Sequence, residues 1–150
     1  MTQQTKNTLL VLAIVAGAVS LPLTWMTIRG AQVEGGLGEM FGGMTFHVTG
    51  LNGYVTFLIK VPIWAIVGLA ALASSLQLMN SSAMFAVPRA AEWFVALLAL
   101  AWIVIALGVA LISGQAALKI GSALGFFCAL VPVICLASPT PSHVTNKPVG

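Results

Sequence analysis

Four apolar runs dominate the chain: TLLVLAIVAGAVSLPLTWMTI (8–28), IKVPIWAIVGLAALASSLQLM (59–79), EWFVALLALAWIVIALGVALI (92–112) and IGSALGFFCALVPVICLA (120–137). Each reaches or approaches the ~20 residues that an α-helix needs to cross ~30 Å of hydrocarbon. Composition agrees, because hydrophobic residues make up 59% of the 150 and charged residues only 6%. Mean hydropathy is +1.06. That balance belongs to integral membrane proteins. The expected fold is all-α and membrane-embedded: a bundle of four transmembrane helices (about 8–28, 59–79, 88–112 and 119–137) forming one domain over 1–138. The Pro-rich, polar segment 139–150 is expected to be a flexible tail.

Four crossings place both termini on one side of the membrane. Lys6, Arg89 and Lys147 fall on that side and Arg29, Lys60 and Lys119 on the other, so the positive-inside count is a tie. Lys6 precedes the first helix, which usually dominates topology, and the long loop carries Glu34 and Glu39. Cytoplasmic termini in a bacterial inner membrane are therefore expected. Ala16-Gly17-Ala18 resembles a signal-peptidase site, but the apolar run continues through Leu21, Leu23 and Trp25. An uncleaved first helix is preferred.

Several function classes lose support at this level. The six basic and three acidic residues are scattered singly, with no basic patch for nucleic acid. Cys128 and Cys135 share a helix face but lie roughly 10 Å apart along it, too far to bridge. No CxxC, H-E-x-x-H, phosphate loop or nucleophile–base arrangement is present. His47 and His143 lie outside every expected span, which removes an intramembrane haem ligand. No catalytic residue, metal ligand or cofactor is expected, and an enzyme ranks last.

Ionisable residues sit at or beyond the helix ends, which argues against proton-coupled transport. Arg89 and Glu92 follow Pro88 where helix-end chemistry explains them, with a lipid-headgroup or partner contact as the functional alternative. Trp25, Trp64 and Trp93 are expected as headgroup anchors, and Pro132 as a kink. Small residues recur at helical spacing: Gly121, Gly125 and Ala129 at i, i+4 and i+8, and Ala13 with Gly17. Such faces let helices approach closely, either inside one bundle or against another subunit.

The loop after the first helix is different in character. RGAQVEGGLGEMFGG (29–43) holds six glycines, and then Met44, Phe46 and Val48 alternate with Thr45, His47 and Thr49 before GLNG and YVTF. This pattern predicts a β-hairpin over about 44–57, with Asn52-Gly53 tolerating positive φ. Phe46, His47, Asn52, Gly53 and Tyr54 are the candidate extramembrane interaction residues.

SLPLTWMTI, the Gly-rich segment and VTGLNGYVTFL together resemble small bacterial four-pass membrane proteins with a Pro-Trp end to helix 1 and a strand-like loop bearing G-x-x-G. In outline the chain also resembles the claudin-type arrangement, a β-rich first loop on four helices. It lacks that family's G-L-W and loop Cys pair, so the resemblance implies architecture and transfers no functional residue. The expected function is a non-catalytic membrane subunit or accessory protein of a larger complex, in the bilayer and docked on other membrane subunits or on itself. The alternative is a small oligomeric transport or lipid-binding protein.

Overall fold

The computed structural model describes residues 1–29, 45–56, 59–82, 87–112 and 116–138. Among these, four helices carry most of the chain: α1 (Gln3–Ser20), α2 (Ile63–Ser81), α3 (Arg89–Ile112) and α4 (Ile120–Ala137). Five short strands accompany them: β1 (Thr24–Arg29), β2 (Thr45–Thr49), β3 (Tyr54–Thr56), β4 (Lys60–Pro62) and β5 (Ala116–Leu118). The tail 139–150, the Gly-rich stretch 30–44 and His143 lie outside the described residues.

α2, α3 and α4 are long and apolar enough to cross a membrane. The protein is therefore an integral membrane protein. α1 packs along α2 and α4, α3 packs on α2 and α4, and α2 also touches α4. The packing is inverted relative to a soluble protein. Small side chains fill the inside, including Ala13, Gly17, Ala70, Ala73, Ser74, Ala96, Ala99, Ala106 and Ala129. Large ones face outward, among them Val11, Val15, Leu72, Phe94, Leu97, Val104 and Ile134. Lipid gives apolar side chains no reason to hide, so close backbone approach decides what goes inside.

The first helix ends earlier than the apolar run 8–28 suggests. Pro22 has no N–H to donate to Ala18, so the α-helical ladder cannot continue through it. The orphaned carbonyls find other donors: Ser20 Oγ donates to Gly17 O (2.7 Å) and Leu21 N to Ala18 O (3.4 Å). The residues TWMTIR, rich in β-branched and aromatic side chains, then form β1 instead of a last helical turn. Likewise Lys60–Pro62 is strand, and α2 starts only at Ile63, because Pro62 disfavours helical backbone in the residue before it.

β1 is the centre of a three-stranded antiparallel sheet ordered β2-β1-β5, and β3 pairs with β4. The expected hairpin over 44–57 is thus replaced: β2 and β3 flank the turn but pair elsewhere, β2 with β1 and β3 with β4. The turn itself explains why. Thr49 N donates to Asn52 Oδ1 (2.8 Å), Asn52 N to Thr49 Oγ1 (3.3 Å), and Gly53 N to Thr49 O (2.9 Å). This closes a wider loop than a two-residue hairpin turn, and its exit strand leaves toward α2. Gly53 does not adopt positive φ; a Cβ there would lie 2.5 Å from Ile63 Cδ1 and 2.6 Å from Val48 Cγ1, so space and not backbone angle requires glycine.

Candidate functional site

Both ends of the helical stack carry non-helical or polar structure. At the end where α1 finishes and α2 and α4 begin sits the sheet. Register shifts between Thr24 and Met26 against β2, leaving Trp25 on a bulge. A bulge re-aims a side chain, and here Trp25 is almost completely buried in the main core cluster. Its Nε1 donates to Ser20 O at 2.9 Å, capping α1. Lys119 N donates to Trp25 O at 2.9 Å, fastening the start of α4 to β1.

The glycines of α4 exist for this ring. A Cβ at Gly121 would come within 2.8 Å of Trp25 Cδ1 and Thr24 O, and one at Gly125 would collide with the Trp25 six-membered ring. Gly17 meets Cys128 in the same way, its Cβ position 2.7 Å from Cys128 Sγ. Ala13 and Ala129 are also fully buried. All five candidate helix-packing residues, Gly121, Gly125, Ala129, Ala13 and Gly17, are therefore covered by the chain itself. Trp25 is a latch inside the protein, not the headgroup anchor expected; Trp64 alone among the other three tryptophans is exposed, while Trp93 and Trp102 are half-buried.

The candidate interaction residues occupy the sheet end. His47 is exposed on β2 opposite Thr27, Asn52 is exposed in the turn, and Tyr54 is exposed on β3 with Lys60 Nζ 4.5 Å from its ring centroid. Leu51, beside Asn52, is exposed as well. Phe46 pairs with Ile28 by register. Gly53 is buried under the turn and serves its shape. Near this end an apolar cleft of about 540 Å³ runs between α3, β5 and α4, lined by Leu107, Leu118, Ile120 and Phe126, with Lys119 among its lining residues.

The opposite end holds a feature that the sequence did not reveal. A cleft of about 260 Å³ opens among the N-terminal turns of α1 and α3 and the C-terminal ends of α2 and α4. Lys6, Gln77, Asn80, Arg89 and Glu92 line it. Lys6 and Glu92 are buried. Lys6 Nζ donates to Ser138 O (2.6 Å) and Arg89 Nη2 to Leu136 O (3.3 Å), placing two cations at the negative end of α4. Glu92 stands in the first turn of α3 and accepts from Asn80 Nδ2 at 2.8 Å, while Gln77 Nε2 donates to Pro132 O at 3.0 Å. Every buried side-chain nitrogen and oxygen among the described residues has a partner.

The signal for this cleft was present but dispersed. Gln77 with Asn80 and Arg89 with Glu92 are polar pairs at i, i+3 in otherwise apolar helices, so each pair shares a face. Only packing brings the two faces and Lys6 together. Among the described residues no group of three or more His, Cys, Asp or Glu is placed to hold a metal ion. Comparison of the chain with known protein families, characterised proteins and solved structures returns no match.

Proposed function

We propose that the protein is a non-catalytic integral membrane subunit or accessory protein that docks on a partner through its sheet end. The observation that carries this reading is the division of labour on the surface. The small-residue faces are already occupied within the chain, whereas Leu51, Asn52, Tyr54 and His47 stand exposed on a turn and strands fastened to three helices. A platform folded against the helices suits recognition because little ordering is needed on binding. α1 serves as the fourth crossing: its 18 residues span ~27 Å, and its outward Val11, Leu12, Val15 and Val19 suit only lipid or a partner helix. Both termini are then on one side, assigned to the cytoplasm of a bacterial inner membrane.

Gentle detergent extraction followed by sizing and mass spectrometry tests this. A stable heteromeric partner is expected, released by a Leu51→Ala/Tyr54→Ala double variant that remains folded. A clean homo-oligomer or a lone lipid-loaded monomer would sink the reading. Either outcome would favour the second reading, a small oligomeric transport or lipid-binding protein, for which the apolar cleft beside Phe126 and Lys119 is the supporting observation.

A further inference from the structure

We propose that the cleft between the N-terminal turns of α1 and α3 and the C-terminal ends of α2 and α4 binds a phosphate group, and that the phosphate is that of an anionic phospholipid. Five observations combine. The cleft lies where all four helices end, the depth at which hydrocarbon gives way to headgroups. Its volume of about 260 Å³ is several times the ~30 Å³ share of a water molecule, enough to admit a phosphate and its first substituents.

Its chemistry is unbalanced toward donors. Among its described lining residues two cations, Lys6 and Arg89, and the second amide N–H of Gln3 and of Asn80, whose first goes to Asn7 Oδ1 and to Glu92 Oε1, stand with one carboxylate, Glu92. Glu92 is itself held by Asn80. A ligand rich in acceptor oxygens complements that lining. The cations are also pre-positioned: the carbonyl of Ser138, just past α4, accepts from Lys6 Nζ and that of Leu136 in its last turn from Arg89 Nη2, and a guanidinium carries five N–H donors of which the Leu136 carbonyl takes one. Basic pockets between membrane helices at this depth are suited to anionic headgroups. The large apolar side chains on the outer faces of the same helices offer continuous contact for acyl chains.

Full-length protein reconstituted in nanodiscs of mixed phosphatidylcholine and phosphatidylglycerol, re-extracted and analysed for retained lipid, tests the proposal. Phosphatidylglycerol is expected to be enriched over its bulk fraction on the order of tenfold, with the enrichment lost in Arg89→Gln and undiminished in Glu92→Gln. In a parallel arm, inorganic phosphate is titrated against thermal unfolding in detergent, with chloride as control. Stabilisation by phosphate without lipid enrichment would keep the site but overturn the lipid as its source. Should Arg89→Gln fail to fold, Ser81→Asp places a repelling charge at an exposed lining position and is expected to abolish the enrichment instead. Wild-type lipid with no enrichment and no phosphate response, or enrichment that survives Arg89→Gln or Ser81→Asp, would overturn the proposal.

Discussion

Trp25 shows how much one side chain organises here. Its indole N–H caps α1, its carbonyl receives Lys119 N, and its ring occupies the space vacated by Gly121 and Gly125. Overpacking of this kind costs about 1–3 kcal/mol. Gly125→Ala is therefore expected to lower the thermal unfolding temperature in detergent, and Trp25→Leu to lower it further by removing both ring and donor. Because the two residues share one space, the double variant should fall short of the summed losses; strict additivity would refute the latch. The i, i+4, i+8 spacing of Gly121, Gly125 and Ala129 was legible as a close-packing face. What it packs against was not, since Trp25 lies about a hundred residues away and reads locally as the end of an apolar helix.

At the scale of elements, the decisive event is the joining of β5 to β1. A three-residue strand, Ala116–Leu118, has no recognisable strand pattern of its own and forms because β1 presents an unpaired edge next to the start of α4. Lys119 N bonding to Trp25 O makes 25/119 a hydrogen-bonded pair, so the partners Ile28 and Ala116 form a non-hydrogen-bonded pair with Cα atoms ~4.5 Å apart. An Ile28→Cys/Ala116→Cys variant should oxidise to an intramolecular disulfide, seen as a mobility shift on non-reducing gels. Failure to cross-link under oxidant would refute the pairing of the first and last connecting segments. The position of helices α2, α3 and α4 was legible to within a few residues because apolar length is a local property. The hairpin was not, because Asn52-Gly53 marks a turn but cannot say which strands its arms will join.

For the whole molecule, the inverted distribution of small and large side chains makes the bilayer part of the structure. If α1 is the fourth crossing, the turn at Asn52 and the N-terminus face opposite sides. In sealed vesicles a membrane-impermeant maleimide should label Asn52→Cys from one side and Thr2→Cys only from the other, while Cys128 and Cys135, both buried, stay unlabelled. Labelling of both engineered sites from the same side would remove α1 from the membrane and with it the proposed topology. The tied distribution of Lys and Arg leaves the absolute orientation to the same measurement.

The sequence by itself determined that this chain lives in a membrane, roughly where three helices cross it, and that it offers no familiar catalytic motif. Those properties follow from side-chain hydropathy summed over short windows, which needs no knowledge of what lies nearby. Only the tertiary structure decided that the segment after Pro22 becomes the central strand between β2 and β5, that the glycine face serves Trp25, and that Lys6, Arg89, Glu92, Gln77 and Asn80 meet in one polar cleft. Each of these depends on groups brought together from different segments by packing, and in a chain with so few charges their separate positions along the sequence carry little sign of the meeting.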